Sequence, residues 1–215
     1  MQRLIIVGAG SLGREVAVYA SQCPDFQVPV LFLDDTGARP DIAGLSLPQP
    51  EPIEHWQPSQ GDRVIVALGD PENRLSLAQR LHDLGALFAP PLVHPLAWPA
   101  PGIQPGPGCV IAPFVTIGTG ASLGAHVLAN THAAIGHDAR VGDGSTLGPH
   151  SVLNGWVETG RCVLIGSGAV VTARCQIGNH GRVAAGSVVY THVGPGLTAS
   201  GNPARAFPMP AAVGK

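Results

Sequence analysis

From Ile111 to Val189 the chain keeps a six-residue hydrophobic beat without a slip. The positions are Ile111, Ile117, Leu123, Ala129, Ile135, Val141, Leu147, Leu153, Thr159, Ile165, Val171, Ile177, Val183 and Val189. Only Ala129 and Thr159 depart from Ile, Leu or Val. A helix period does not fit six, and strand alternation would not single out every sixth place. A fixed internal period this short predicts a β-solenoid. Each hexapeptide is then one flat side, entered by an inward aliphatic. Small residues follow four places on, and Gly follows directly in Gly118, Gly124, Gly136, Gly142, Gly148, Gly160, Gly166 and Gly178. Such corner glycines serve tight backbone packing or unusual dihedrals. Three sides make an eighteen-residue coil, so residues eighteen apart stack at the strand spacing of about 4.8 Å. The run holds thirteen hexapeptides, just over four coils.

The pattern before residue 90 is different. Residues 3–7 (RLIIV) read as a buried strand, followed by Gly8-Ala9-Gly10-Ser11-Leu12-Gly13 and a helix over 14–22. A second strand, VPVLFL, ends at Asp34-Asp35, and a third, 64–68, ends at Gly69-Asp70. Residues 71–84 have amphipathic helical spacing with Pro71 placed to start it, and 86–89 suit a short last strand. This is a βαβ-type, Rossmann-like α/β domain over 1–89. The Pro/Gly-rich stretch 90–108 reads as a connector and lead-in coil, and its register allows the solenoid to start near residue 100. The β-helix then spans 109–193, and 194–215 is a C-terminal tail.

Composition removes several function classes. The chain has 215 residues, a net charge of −2 and 45% hydrophobic residues, which suits one or two compact domains. Twelve Lys and Arg residues form no basic stripe, so no nucleic-acid partner is expected. No apolar stretch approaches the ~20 residues of a membrane span, and the N-terminus lacks a signal-peptide layout. Cys23, Cys109, Cys162 and Cys175 lie far apart without metal-type spacing. They read as reduced thiols of a cytoplasmic protein, with Cys162 and Cys175 filling coils.

Two places carry candidate chemistry. Gly8, Gly10 and Gly13 match G-x-G-x-x-G between a strand and a helix, where backbone amides hold phosphates. Asp34 and Asp35 stand where an acidic side chain meets a ribose hydroxyl. One mononucleotide unit has too few strands for a nicotinamide half, so a nucleotide-linked substrate is favoured over NAD. Gly10, Ser11, Leu12, Asp34, Asp35 and Gly69 are the candidate substrate contacts. Of nine histidines, His132 and His150 should stack, being eighteen apart, while His55, His82 and His94 read as surface or structural. His137 stands out because Asp138 follows it at once. A neighbouring carboxylate raises imidazole basicity, as a general base requires.

The chain as a whole resembles the sugar acetyltransferase family of sialic acid O-acetyltransferases and bacillosamine or perosamine N-acetyltransferases. The resemblance rests on VGAGSLGRE, LDD, ALGDPENR, LVHP, NTHAAIGHDARVGDGSTLGP and GNPAR. It implies a left-handed parallel β-helix of hexapeptide repeats, an exception to right-handed crossovers, and a homotrimer with active sites between subunits. It also implies acetyl-CoA as co-substrate, His137 as base and Asp138 as its partner. Thr146 stands nine residues on, where the family often has a second His at the acetyl-CoA end. Leu12 replaces a His found in some members, leaving backbone contacts there. Stacking puts Gly155 one coil above His137, its amide an oxyanion candidate. Ser167 and Ala185, a pair eighteen apart on a different face, are candidate CoA contacts by the resemblance, so Thr146, Ser167 and Ala185 form the cofactor-binding set.

The resemblance implies acetyl transfer from acetyl-CoA to the amino group of a nucleotide-linked amino sugar in surface glycan synthesis, with the nucleotide-type glycine turn favouring the amine. O-acetylation of a sugar or sialic acid is the alternative within the class. Outside it stand a non-catalytic nucleotide-binding scaffold and a zinc enzyme like the gamma-type carbonic anhydrases, using His132 and His137. No metal is expected.

Overall fold

The computed structural model describes residues 1–37, 41 and 47–208. The N-terminal domain is a three-stranded parallel sheet in the order β2-β1-β3, with β1 at Arg3–Val7, β2 at Val30–Leu33 and β3 at Asp62–Val66. Helix α1 (Ser11–Gln22) follows β1 and α2 (Pro71–Asp83) follows β3. Pro71 opens α2, whose N-cap Asp70 accepts from the Asn73 amide. The expected strand over 86–89 is a single bridge between Val64 and Phe88.

The beat builds a left-handed β-helix of about six turns. Two-residue strands stack at intervals of eighteen, so Ile117, Ile135, Leu153, Val171 and Val189 form one buried column. The solenoid begins earlier than expected. Leu92–Val93 already pairs with Val110–Ile111, and Trp98–Pro99 with Thr116–Ile117, so much of the connector is a coil. The tail also joins the fold. Leu197–Gly201 pairs parallel to Arg182–Val183 and antiparallel to Ala204–Pro208, closing the stack.

The residue just before each beat position points outward and gives each face its character. One face carries Leu92, Val110, Leu128 and Thr146, all buried under the N-terminal domain; we call it the docked face. The polar face carries Ser122, Arg140, Glu158 and Gln176, all exposed. The apolar face carries Ala134, Val152, Val170 and Val188, all half-buried.

The corners divide their work between two positions. Gly136, directly after the beat, needs its lack of Cβ for close approach: an added Cβ would lie 2.7 Å from the Asn154 carbonyl carbon in the next coil. Positive φ falls two places later. There nine non-glycine residues, including Phe114, His132, Asp138, His150, Trp156 and Arg174, have φ between 54° and 65°. Their side chains leave the solenoid rather than fill it. Cys162 occupies such a position, so it does not fill a coil as expected. Its thiol instead points at the Pro71 carbonyl of α2, 3.7 Å away, whereas Cys175 does lie in the core.

Candidate active site

His137 and Asp138 form the corner between the apolar and polar faces. The His137 Nδ1 lies 2.9 Å from Asp138 Oδ2, with both side chains about half exposed. Asp138 adopts φ 57°, which turns its carboxylate back beside the ring. The coil before it carries Gly120, where a Cβ would stand 2.5 Å from Asp138 Oδ1. A carboxylate only accepts, so the hydrogen-bond network assigns the proton to Nδ1 and leaves the Nε2 lone pair for a substrate proton.

Gly155 lies one coil on, as the eighteen-residue register predicts. A Cβ on it would be 2.5 Å from His137 Nε2 and 2.6 Å from Cε1, so the glycine is the floor on which the imidazole rests. Its amide donates to no acceptor among the described residues. Backbone bonds from Asp138 N to Thr119 O, Trp156 N to His137 O and Arg174 N to Gly155 O lock the levels together at 2.9–3.1 Å. The Trp156 ring stands perpendicular to the imidazole, 4.3 Å between centroids.

Ser167 and Ala185 stack, at the corner between the docked and apolar faces rather than on a face, and both are exposed. Within one chain they are not brought to His137. His132 and His150 do stack, with centroids 4.6 Å apart and planes 4° from parallel, and Phe114 extends the ladder at 4.7 Å. Among the described residues no three His, Cys, Asp or Glu side chains are grouped to hold a metal. His94 is structural, buried against Tyr19 with Nε2 2.5 Å from Gln22.

Thr146 requires a correction. It is buried, and its hydroxyl donates to the Gly69 carbonyl (2.9 Å) while accepting from Arg74 (2.8 Å). Its proton is already engaged at the domain junction, so it is not available to the acetyl-CoA end.

The junction is organised by Arg74, which sequence reasoning missed. The side chain is only 2% exposed. Nε donates to His126 O, Nη1 to Leu68 O and Gly69 O, and Nη2 to Gly144 O, Ser145 O and Thr146 Oγ1, all within 3.3 Å. Every acceptor is a neutral oxygen. Burial pulls the guanidinium down to about 10, so it stays charged at neutral pH. One Arg on an amphipathic helix reads as surface, even at the end of ALGDPENR.

In the glycine turn, Gly8 has φ 102°, and a Cβ on Gly13 would meet the Gly8 oxygen at 1.9 Å. Those two glycines are thus required by the strand–helix turn itself. Gly10 caps α1, and the amides of Gly10, Ser11 and Leu12 donate to no acceptor among the described residues. Ser11 is exposed, while Leu12 packs partly against the core. Asp34 also has a structural part. Its Oδ2 accepts from the Ala9 amide at 2.7 Å and its Oδ1 from the Thr36 amide at 2.7 Å, so it braces the turn. Asp35 accepts from the Ile53 amide and, with Asp34 and Arg80, lines a cavity of about 630 Å³. Gly69 is exposed, its carbonyl held by Arg74 and Thr146.

Residues 3–81 match the PglD N-terminal domain model. The GDP-perosamine N-acetyltransferase of Escherichia coli O157:H7 is 30% identical over 217 residues, covering 93% of this chain and 94% of that one. The chain belongs to this sugar acetyltransferase family. Among solved structures, PerB from Caulobacter crescentus, in complex with CoA and GDP-perosamine, superposes on the acetyltransferase with a TM-score of 0.84. It is 28% identical, over 96% of this chain and 98% of PerB. The acetyltransferase domain of PglB from Neisseria gonorrhoeae, in complex with acetyl coenzyme A, gives 0.84 and 27% over 96% and 99%. No helix among the described residues of the acetyltransferase is long and apolar enough to cross a membrane.

Proposed function

We propose that this chain transfers the acetyl group of acetyl-CoA to the amino group of a nucleotide-linked amino sugar. The observation that carries the reading is the His137–Asp138 pair, with Nδ1 engaged and Nε2 poised on the Gly155 floor. As the sugar nitrogen attacks the thioester carbonyl, Nε2 takes the proton it loses. The tetrahedral oxyanion receives the Gly155 amide. The carbon–sulfur bond then breaks, and the imidazolium returns its proton to the departing CoA thiolate. No covalent enzyme intermediate is needed. Asp138 keeps the tautomer and stabilises the transient imidazolium.

The nucleotide lies on the N-terminal domain, its phosphates at the amides of Gly10, Ser11 and Leu12, with Asp35 and Gly69 beside it. The amino group of the sugar is favoured over a hydroxyl because relatives over nearly the full chain are perosamine N-acetyltransferases. The working unit is a homotrimer. The apolar face suits burial against a second copy, which would bring the Ser167 and Ala185 corner of one subunit toward His137 of the next. A cytoplasmic location fits this reading, since acetyl-CoA and nucleotide sugars are made there, and the product would supply acetylated sugars for surface glycans.

The test is a free-thiol assay with acetyl-CoA and a panel of UDP-, GDP- and dTDP-linked 4-amino sugars, with the matching non-amino sugars as controls. Thiol release with an amino sugar alone is expected. Release only with the hydroxyl controls would move the enzyme to O-acetylation, and none with any acceptor would leave the scaffold reading.

A further inference from the structure

Trp156 is an indole with no evident part in holding the solenoid together. It occupies an outward position with φ 57° and is 43% exposed. Yet its ring is held on two sides. The Arg174 guanidinium carbon lies 4.2 Å from the ring centroid, over the ring, and the His137 imidazole meets it at 88°. The sequence places this stack by register alone: Asp138, Trp156 and Arg174 are successive members of one eighteen-residue column, all at positive φ.

An imidazole on an exposed corner has a broad, roughly two-fold χ2, and a flip exchanges its nitrogens with its carbons. The Asp138 hydrogen bond resists that flip, but it sits half in solvent, where water competes for both partners. The Gly155 floor sets the height of the ring without choosing its rotation. A wall perpendicular to the ring supplies the missing restraint, and edge-to-face contact is the geometry aromatic quadrupoles prefer. A guanidinium stacked over the indole in turn fixes the wall.

We propose that Trp156, clamped by Arg174, is a positioning residue that keeps the His137 imidazole in its Nδ1–H, Nε2-outward orientation. The inference rests on His137 being the base of the proposed acetyl transfer. It assigns the indole to the base and not to the sugar.

Two measurements test it. In ¹⁵N-labelled protein, the two-bond proton–nitrogen spectrum of His137 reads its tautomer without any substrate. The wild type shows a single Nδ1–H form, and Trp156→Ala a mixture. In the thiol assay, Trp156→Ala lowers kcat about ten- to a hundredfold, the scale of a misplaced catalytic group. The KM values for acetyl-CoA and the sugar nucleotide stay within about twofold, since no binding contact is removed. Trp156→Phe restores most of the rate by keeping an edge-on ring, and Arg174→Met loses only about threefold, as expected of one exposed cation–π contact. An unchanged tautomer in Trp156→Ala overturns the proposal. So does a raised sugar-nucleotide KM at unchanged kcat, which makes the indole a substrate wall. If the wild type acetylates no amino sugar, the functional reading fails separately, and the tautomer spectrum still decides the role of Trp156.

Discussion

His137 and Arg74 are held in place by opposite means. His137 is half exposed, touches one carboxylate and one indole, and is flanked by absent side chains: Gly120 in the coil before, against Asp138, and Gly155 in the coil after, against the ring. Arg74 is buried and saturated by oxygens from both domains. The first arrangement leaves a nitrogen free to react. The second leaves nothing free and joins two pieces. Chemistry and cohesion are thus assigned to different corners of the solenoid, and substitutions should separate them.

The largest expected effect is at the base. His137→Ala lowers kcat about a thousandfold or more, the upper range for a lost general base, with little change in melting temperature. Steady-state thiol release and thermal unfolding, read together, check it. Arg74→Met should do the reverse. It strands buried carbonyls at the junction and costs about 3 kcal/mol by urea unfolding, the scale of breaking a buried charged network. It also raises the sugar-nucleotide KM, because the Gly69 turn loses one of its two tethers, while the acetyl-CoA KM holds. Equal losses of kcat and stability in both variants would erase the distinction.

Gly155→Ala sharpens the comparison by adding only a methyl group. The new Cβ must displace the imidazole, so kcat falls about a hundredfold, as for a misplacement of about 1 Å. The far-ultraviolet circular dichroism and melting curve should stay near wild type. An active Gly155→Ala enzyme would mean that the ring rests elsewhere.

The smallest effect is a pH dependence beside the junction. His126 packs edge-on against Phe88, its carbonyl accepts from Arg74, and its Nδ1 has no hydrogen-bond partner among the described residues. Burial, then the Arg74 charge, pushes its imidazole down to about 4. Above pH 6.5 it is neutral in both states and its contribution to stability is complete. As pH falls from 6.5 toward 4, the unfolded chain takes up a proton that the folded chain refuses. Stability then drops by about 2 kcal/mol after allowance for solvent screening, and levels off below. His126→Asn, which tolerates the positive φ, should flatten that acid limb in melting temperature measured against pH.

How much of this was legible in the chain depended on whether the information was periodic. Stacking of His132 on His150 and of Gly155 on His137 follows from counting by eighteen, because parallel strands two residues long leave no room for register slip. The strands of the first domain were legible from continuous apolar runs. The role of Arg74 was not, since nothing in a helical pattern says which face another domain will cover. The hint lay one residue before the beat, where Leu92, Val110 and Leu128 point outward yet are aliphatic. The bracing part of Asp34 was not legible, because the spacing of the glycine fingerprint locates a carboxylate without saying that it accepts from the Ala9 amide. Thr146 was misplaced because position nine after the base is defined by a family pattern, and here the adjoining domain closes over it.

The outward positive-φ place at each corner acts as a row of interchangeable sockets. Phenylalanine, aspartate, tryptophan, cysteine and arginine each fill one in this chain and histidine fills four, on the same backbone turn and above an undisturbed aliphatic core. New reactivity can therefore be tried at one rung while its neighbours stay as they were. A scaffold whose working parts plug in from outside can diversify its chemistry without renegotiating its folding.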